Sequence, residues 1–223
     1  MSQKKLIEYF SKFTTEHRIE LFREIVAKRS RYLTVVLEDI FQPHNASAVL
    51  RTCDCFGIQD VHIIENSNEY NVNPDVALGS DKWLSLQKYN HEDYNTLAAY
   101  EKLRKDGYRI IATSPHKNDV SLNDFDLEKG KAAFVFGTEL KGLSETAICN
   151  ADEYVRIPMY GFTESFNISV SAAIILHHLS SKLYNSSINW QLKDSEKDEL
   201  LLDWLRETIK SSALLEKKFK KGL

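Results

Sequence analysis

At 223 residues and 43% hydrophobic content, the chain is long enough for one packed main domain with terminal additions. No apolar run approaches the length of a membrane span, the N-terminus MSQKKLIEYFSKF lacks a signal-peptide core, and the net charge of −3 argues against a uniformly basic nucleic-acid binder. Cys53, Cys55 and Cys149 form neither an even framework nor a C-x-x-C pair, which points to a reduced, cytoplasmic chain without a structural metal.

The charge is unevenly spread. Residues 1–31 carry eight Lys/Arg against four Glu, residues 204–223 carry six against two, and the stretch between them holds −11. Basic ends on an acidic body suggest that the termini supply phosphate contacts, the salt-dependent part of nucleic-acid affinity. The alternative is that Lys217, Lys218, Lys220 and Lys221 form a solvated helix end that complements the helix dipole.

In chain order, residues 3–29 place Leu6, Ile7, Phe10, Phe13, Ile19, Phe22, Ile25 and Val26 at helical spacing. Strands are predicted at 33–37, 61–64, 108–112, 132–137 and 153–157, short runs rich in Val, Ile and Tyr. Helix-length segments separate them, which is the pattern of a parallel sheet in an α/β fold. A helix follows the first strand within 41–57, and Cys53 and Cys55 on it are read as small core residues. Residues 74–90 declare no element beyond a turn at Gly79-Ser80-Asp81-Lys82-Trp83, and Asn118 to Gly130 reads as a polar surface loop. A helix at 167–184 buries Ile168, Ala172, Ile175, Leu179 and Leu183, with His177 and His178 on its polar side. A tail helix at 196–220 turns Leu201, Trp204, Leu205 and Ile209 inward. The expected division is an N-terminal helical extension at 1–31, a main domain at 32–184 and a C-terminal helical extension at 185–223.

The segment IPMYGFTESFNISVSAA, residues 157–173, holds the densest signal. A short apolar run meets Pro158, passes a loop holding Gly161, and returns as a helix rich in small residues. Such a loop has backbone N–H and C=O groups without regular partners, so it either wraps around something polar or opens to water as a tight connection. Two other segments point to the first reading. FQPHNASAVLRTCDCFG at 41–57 carries Asn45 and Arg51 six apart, and FVFGTELKGLS at 134–144 runs from a strand through a glycine turn. No G-x-G-x-x-G follows the first strand, so a dinucleotide-binding reading lacks its fingerprint.

Taken in order, N-x5-R, FGTELKGLS and IPMYGFTESFNISVSAA resemble the three motifs of the SpoU (TrmH) family, and the resemblance runs from about residue 33 to residue 180. It implies an S-adenosylmethionine-dependent RNA 2′-O-ribose methyltransferase of the SPOUT type: a parallel sheet flanked by helices, a C-terminal deep trefoil knot, and a homodimer whose subunits complete the site. Knots are rare exceptions to ordinary chain topology, and nothing in the spacing foretells one. Ser169, Ala172 and Ala173 suit close helix packing at a dimer interface or in the chain's own core.

The resemblance also implies roles. Arg51 acts on the 2′-hydroxyl and Asn45 holds the ribose or the arginine. Glu139 orders that arginine and the third motif, and Ser165 and Asn167 contact Arg51, substrate or cofactor. A guanidinium is a very weak base, so hydroxyl polarisation and phosphate binding suit Arg51 better than proton abstraction. Helix N-capping is the structural alternative for Ser165 and Asn167. Thr113, Gly137, Ile157 and Phe166 match the positions that hold the cofactor, largely through backbone groups. Glu164, where relatives often have glutamine, and Tyr160 and Phe162, in place of aliphatics, depart from the pattern. The stretch LTVVLEDIFQPHNASAVLRTCDCFG and the GSDKW turn are most similar to the tRNA branch, which methylates guanosine 18 in the D-loop. The competing readings are methylation of a tRNA wobble nucleotide or ribosomal RNA, or a catalytically silent RNA-binding relative. A membrane or DNA partner is not expected.

Overall fold

A computed structural model describes residues 3–92, 94–113 and 119–222 in two compact units. The larger unit, residues 31–190, is built on a seven-stranded sheet. Its strands are β1 (Leu33–Glu38), β2 (Asp60–Ile64), β3 (Ser85–Tyr89), β4 (Arg109–Thr113), β5 (Val120–Ser121), β6 (Ala132–Phe136) and β7 (Glu153–Arg156), in spatial order β3-β2-β1-β6-β4-β7-β5. Every pairing is parallel. The five predicted strands are present. β3 and β5 add to them, in stretches whose mixed, polar sequences SLQKY and VS carry little apolar signal.

Alternation across the pleat buries both faces of the central strands, which explains why they are largely apolar. Leu33, Val35 and Leu37 of β1 and Phe134 and Phe136 of β6 enter one core, while Val36, Ala133 and Val135 enter the other. The first core is covered by α3 (Pro43–Cys55) and α7 (Ile168–Tyr184), the second by α5 (Asn95–Lys105) and α6 (Glu145–Cys149). Pro43 opens α3 at a position where its missing N–H costs nothing, and Asn167 caps α7. The α7 stripe of Ile168, Ala172, Ile175, Leu179 and Leu183 is buried as expected. Gly79 adopts φ +78° ahead of a 3-10 turn at Ser80–Trp83, and α4 (Pro74–Ala77) precedes it. The supposed surface loop after Asn118, itself outside the described residues, is instead tied down. Leu122, Phe125 and Leu127 are buried in the first core, and the Asn and Asp residues between them hide that apolar spacing in the sequence. Cys53 is buried, but Cys55, two residues on, faces out.

The smaller unit joins residues 3–30 with 191–222. Each predicted terminal helix is two. Residues 3–29 break at Thr15, which caps α2 (Glu16–Val26) after α1 (Gln3–Ser11). The tail divides into α8 (Asp194–Thr208) and α9 (Ser212–Lys221), where Ile209 is extended and Ser211 takes φ +64°. Phe22 meets Trp204 edge-on at 5.6 Å, Tyr9 stacks on Phe219 at 4.9 Å, and Ser30 bridges Gln191.

One buried titratable group couples this fold to pH. His62 on β2 is 1% exposed with Nδ1 2.9 Å from the Tyr89 hydroxyl, and burial lowers its pKa from 6.5 to about 4. The unfolded chain therefore takes up a proton below pH 6.5 that the folded chain refuses until about pH 4. Stability is full above pH 6.5 and declines through this window by about 3 kcal/mol. Urea unfolding across pH 4–7 should show that decline, and His62→Gln should flatten it.

Candidate active site

The site grows from the C-terminal ends of the central strands, where open parallel sheets present their loops. At the end of β6 the chain turns sharply, and a Cβ on Gly137 would collide with the Gly142 carbonyl and the Leu143 nitrogen, so only glycine permits the turn. Thr138 and Gly142 exchange N–H···O bonds of 2.9 Å in both directions, with Gly142 at φ +68°. The far end of this loop is fixed by Glu38, a 2% exposed carboxylate closing β1. Glu38 accepts from the Ser144 N–H at 2.9 Å, the Ser144 hydroxyl at 2.7 Å and the Thr96 hydroxyl at 2.8 Å. The Ser144 hydroxyl oxygen in turn accepts from the Ala147 N–H and caps α6. Glu38 escaped the sequence reading; its signal was an acidic residue ending an otherwise apolar strand.

Between this loop and the chain after β7 lies a cavity of about 380 Å³. Thr113, Gly137, Ile157 and Phe166 all line it, as do Glu139, Ser165 and Glu164. Thr113 ends β4 with its hydroxyl donating to the Val135 carbonyl at 2.8 Å, and Phe166 is 42% exposed. A second hollow of about 370 Å³ shares the wall formed by Thr138, Glu139, Leu140 and Lys141, and Asn45 lines it.

Glu139 stands in that shared wall. Its Oε1 accepts from Asn45 Nδ2 and Asn167 Nδ2, both at 2.6 Å. Asn45 also donates to Gln42 Oε1 at 3.0 Å, and Asn167 donates to Asn45 Oδ1 at 3.2 Å. Asn167 Oδ1 meanwhile accepts from the Ser169 N–H and hydroxyl at 2.8 and 2.6 Å, so the capping role and the clustering coexist. One residue from each of the three motifs thus meets at a single carboxylate oxygen. Ser165 lines the cavity and makes no hydrogen bond among the described residues. Arg51 stands apart: it is exposed, lines neither space, and has no hydrogen bond or ion pair among the described residues. Six residues of helix carry it about 9 Å along α3 from Asn45 and about 120° around it.

Glu38→Ala leaves the buried Thr96 hydroxyl without its acceptor and releases the more exposed Ser144, which costs about 2 kcal/mol. Urea denaturation should register that loss, whereas Glu38→Gln, which keeps an acceptor oxygen, should lose less.

Comparison with known proteins identifies the family of the chain. Residues 32–177 match the SpoU rRNA methylase family. The tRNA (guanosine(18)-2'-O)-methyltransferase of Borreliella burgdorferi is 43% identical over 212 residues, covering 95% of both chains. The enzyme of the same name from Thermus thermophilus is 34% identical over 198 residues, 86% of this chain and 98% of that one. Among solved structures, the A. aeolicus TrmH/SpoU tRNA modifying enzyme superposes with a TM-score of 0.75 at 28% identity, over 88% of this chain and 98% of its own. With three motifs converging on Glu139 and relatives matched over nearly their full length, the chain belongs to the SpoU family of RNA methylases.

Proposed function

We propose that this protein transfers a methyl group from S-adenosylmethionine to the ribose 2′-hydroxyl of guanosine 18 in the D-loop of tRNA. The observation that carries the reading is the Asn45–Glu139–Asn167 cluster, whose Glu139 lines a cavity together with all four expected cofactor positions. The names of relatives at 43% and 34% identity supply the substrate.

The cavity suits the cofactor. Its volume of about 380 Å³ falls in the usual range for small-molecule sites, apolar Ile157 and Phe166 line it, and the Gly137 turn presents backbone rather than side chains. Bound S-adenosylmethionine supplies an electrophilic methyl group on a positive sulfur. The protein's part is orientation and charge. Thr113 and Gly137 hold the ligand through backbone groups while Ile157 and Phe166 keep water away. Asn45, fixed by Glu139, positions the ribose, and Asn167 ties the third motif to the same carboxylate. Ser165 faces the cavity as a further contact. Arg51 polarises the 2′-hydroxyl and binds the adjoining phosphate; the 2′-oxygen takes the methyl group as the thioether departs, and its proton passes to solvent water.

Arg51 reaches such a site from a second copy of the chain. A half-buried face of α3 and α7, with Ala48, Thr52 and Ala173 beside the exposed Val170 around a hollow of about 740 Å³, fits the homodimer. Ser169 and Ala173 border that hollow, whereas Ala172 is spent on the chain's own core. The trefoil knot belongs to the same reading. The working division is a methyltransferase domain at 32–184 with helical extensions at 1–31 and 185–223. The extensions supply phosphate contacts to tRNA in the cytoplasm.

Labelled methyl transfer to unmodified tRNA transcripts, followed by mapping of the 2′-O-methyl position, tests this directly. Methyl should appear on guanosine 18, and Arg51→Ala should lower the rate by about 100-fold or more. No transfer to any tRNA, despite cofactor binding, would overturn the assignment. For the termini, Lys217→Ala, Lys218→Ala and Lys221→Ala together should weaken tRNA binding. They should also flatten its dependence on log salt by roughly 0.7–0.9 for each phosphate no longer neutralised, read from filter binding at several ionic strengths.

A further inference from the structure

The hollow on the far side of Glu139 is lined by none of the four expected cofactor positions. We propose that it receives the base of the target nucleotide, with Phe41 as a stacking face and Asp39 reading an N–H edge, which makes both specificity-determining. The inference rests on the methyl-transfer reading above and adds the place of the base to it.

Position is the first ground. The two spaces share the wall that carries Glu139, with the cofactor cavity on one side and the hollow of about 370 Å³ on the other. A 2′-hydroxyl held at Asn45 and Glu139, facing a methyl group in the cavity, leaves its own base on the hollow's side. The space is ample for a flipped base, which unstacks from RNA before chemistry at its nucleotide. Phe41 and Leu140 line the hollow while 73% and 100% exposed, an unusual solvent exposure for large apolar side chains. Flat apolar faces of this kind are what an extruded base stacks on.

Asp39 is the second ground. It takes φ +58°, a conformation rare outside glycine, immediately after β1. Its Oδ1 accepts from three consecutive N–H groups, those of Asn66, Ser67 and Asn68, at 3.1, 2.7 and 2.8 Å. Its carbonyl accepts from Asn68 Nδ2 at 2.9 Å. One carboxylate oxygen is thus saturated and the carboxyl group is locked in orientation, while Oδ2 has no partner among the described residues. A fixed acceptor in the lining of the hollow matches the Watson–Crick edge of guanine, which offers N1–H and N2–H donors. Adenine offers an acceptor at N1 instead.

The test compares wild type, Phe41→Ala and Asp39→Asn on tRNA transcripts with guanosine or adenosine at the target position, with S-adenosylhomocysteine titrated into each protein. Asp39→Asn keeps an oxygen for the three N–H groups but presents an amide donor at the free position. Phe41→Ala should raise KM for tRNA at least about fivefold, the lower end of what base stacking contributes. Asp39→Asn should lower kcat/KM on guanosine at least tenfold and narrow the gap between guanosine and adenosine. Both should bind S-adenosylhomocysteine as wild type does. Unchanged tRNA KM and base preference in active variants would overturn the inference and leave the methyl-transfer reading standing. Dissociation of the oligomer by Phe41→Ala in light scattering would assign Phe41 to a protein contact and overturn it too. A wild-type protein that transfers no methyl group to RNA would remove both.

Discussion

The site depends on one carboxylate oxygen accepting two short hydrogen bonds. Glu139 Oε1 takes the amide N–H groups of Asn45 and Asn167, which arrive from distant parts of the chain. Charge-assisted bonds of this kind are roughly twice as strong as neutral ones. The two asparagines are therefore coupled: each is placed by the same acceptor, and each touches the other. Asn45 is 4% exposed and spends its amide N–H groups on Glu139 and Gln42, which set its orientation, while its Oδ1 borders the second hollow with acceptor capacity to spare.

What places Glu139 is the sheet. Parallel strands bring the ends of β1, β4, β6 and β7 to one edge, and the loop leaving β6 is pinned at both ends. Gly137 folds it back against Gly142 where no side chain fits. Glu38 then clamps its exit through Ser144 from inside the core. A buried carboxylate is expensive unless its partners are complete, and here Thr96 and both groups of Ser144 complete them. The same strand end continues through Asp39 into Gln42 and Asn45, so β1 feeds both walls of the site.

Much of this was legible in the sequence, for identifiable reasons. Strands buried on both faces read as continuous apolar runs, so β1 and β6 stood out, while β3, with the sequence SLQKY and a half-buried pattern, did not. The terminal helices were visible by their period, but their breaks were not. Thr15 is a local cap that interrupts a continuing apolar pattern, and Ser211 adopts a backbone angle that serine does not advertise. The residues gathered at Glu139 were named through motif resemblance, since Asn45 lies 94 positions before Glu139 and Asn167 lies 28 after it, and nothing local links them. Gln42 and Glu38 were missed because their roles are defined by what they touch. The sequence order places Arg51 near Asn45, yet helical geometry turns it away along α3.

The central claim is that Glu139 and Asn45 act as one unit. A double-mutant cycle on the rate of methyl transfer, using Glu139→Ala, Asn45→Ala and the pair, measures it most directly. The account predicts that the double variant is scarcely slower than the more damaged single variant, because either change already releases the shared geometry. Losses that multiply, as for independent groups, would contradict it.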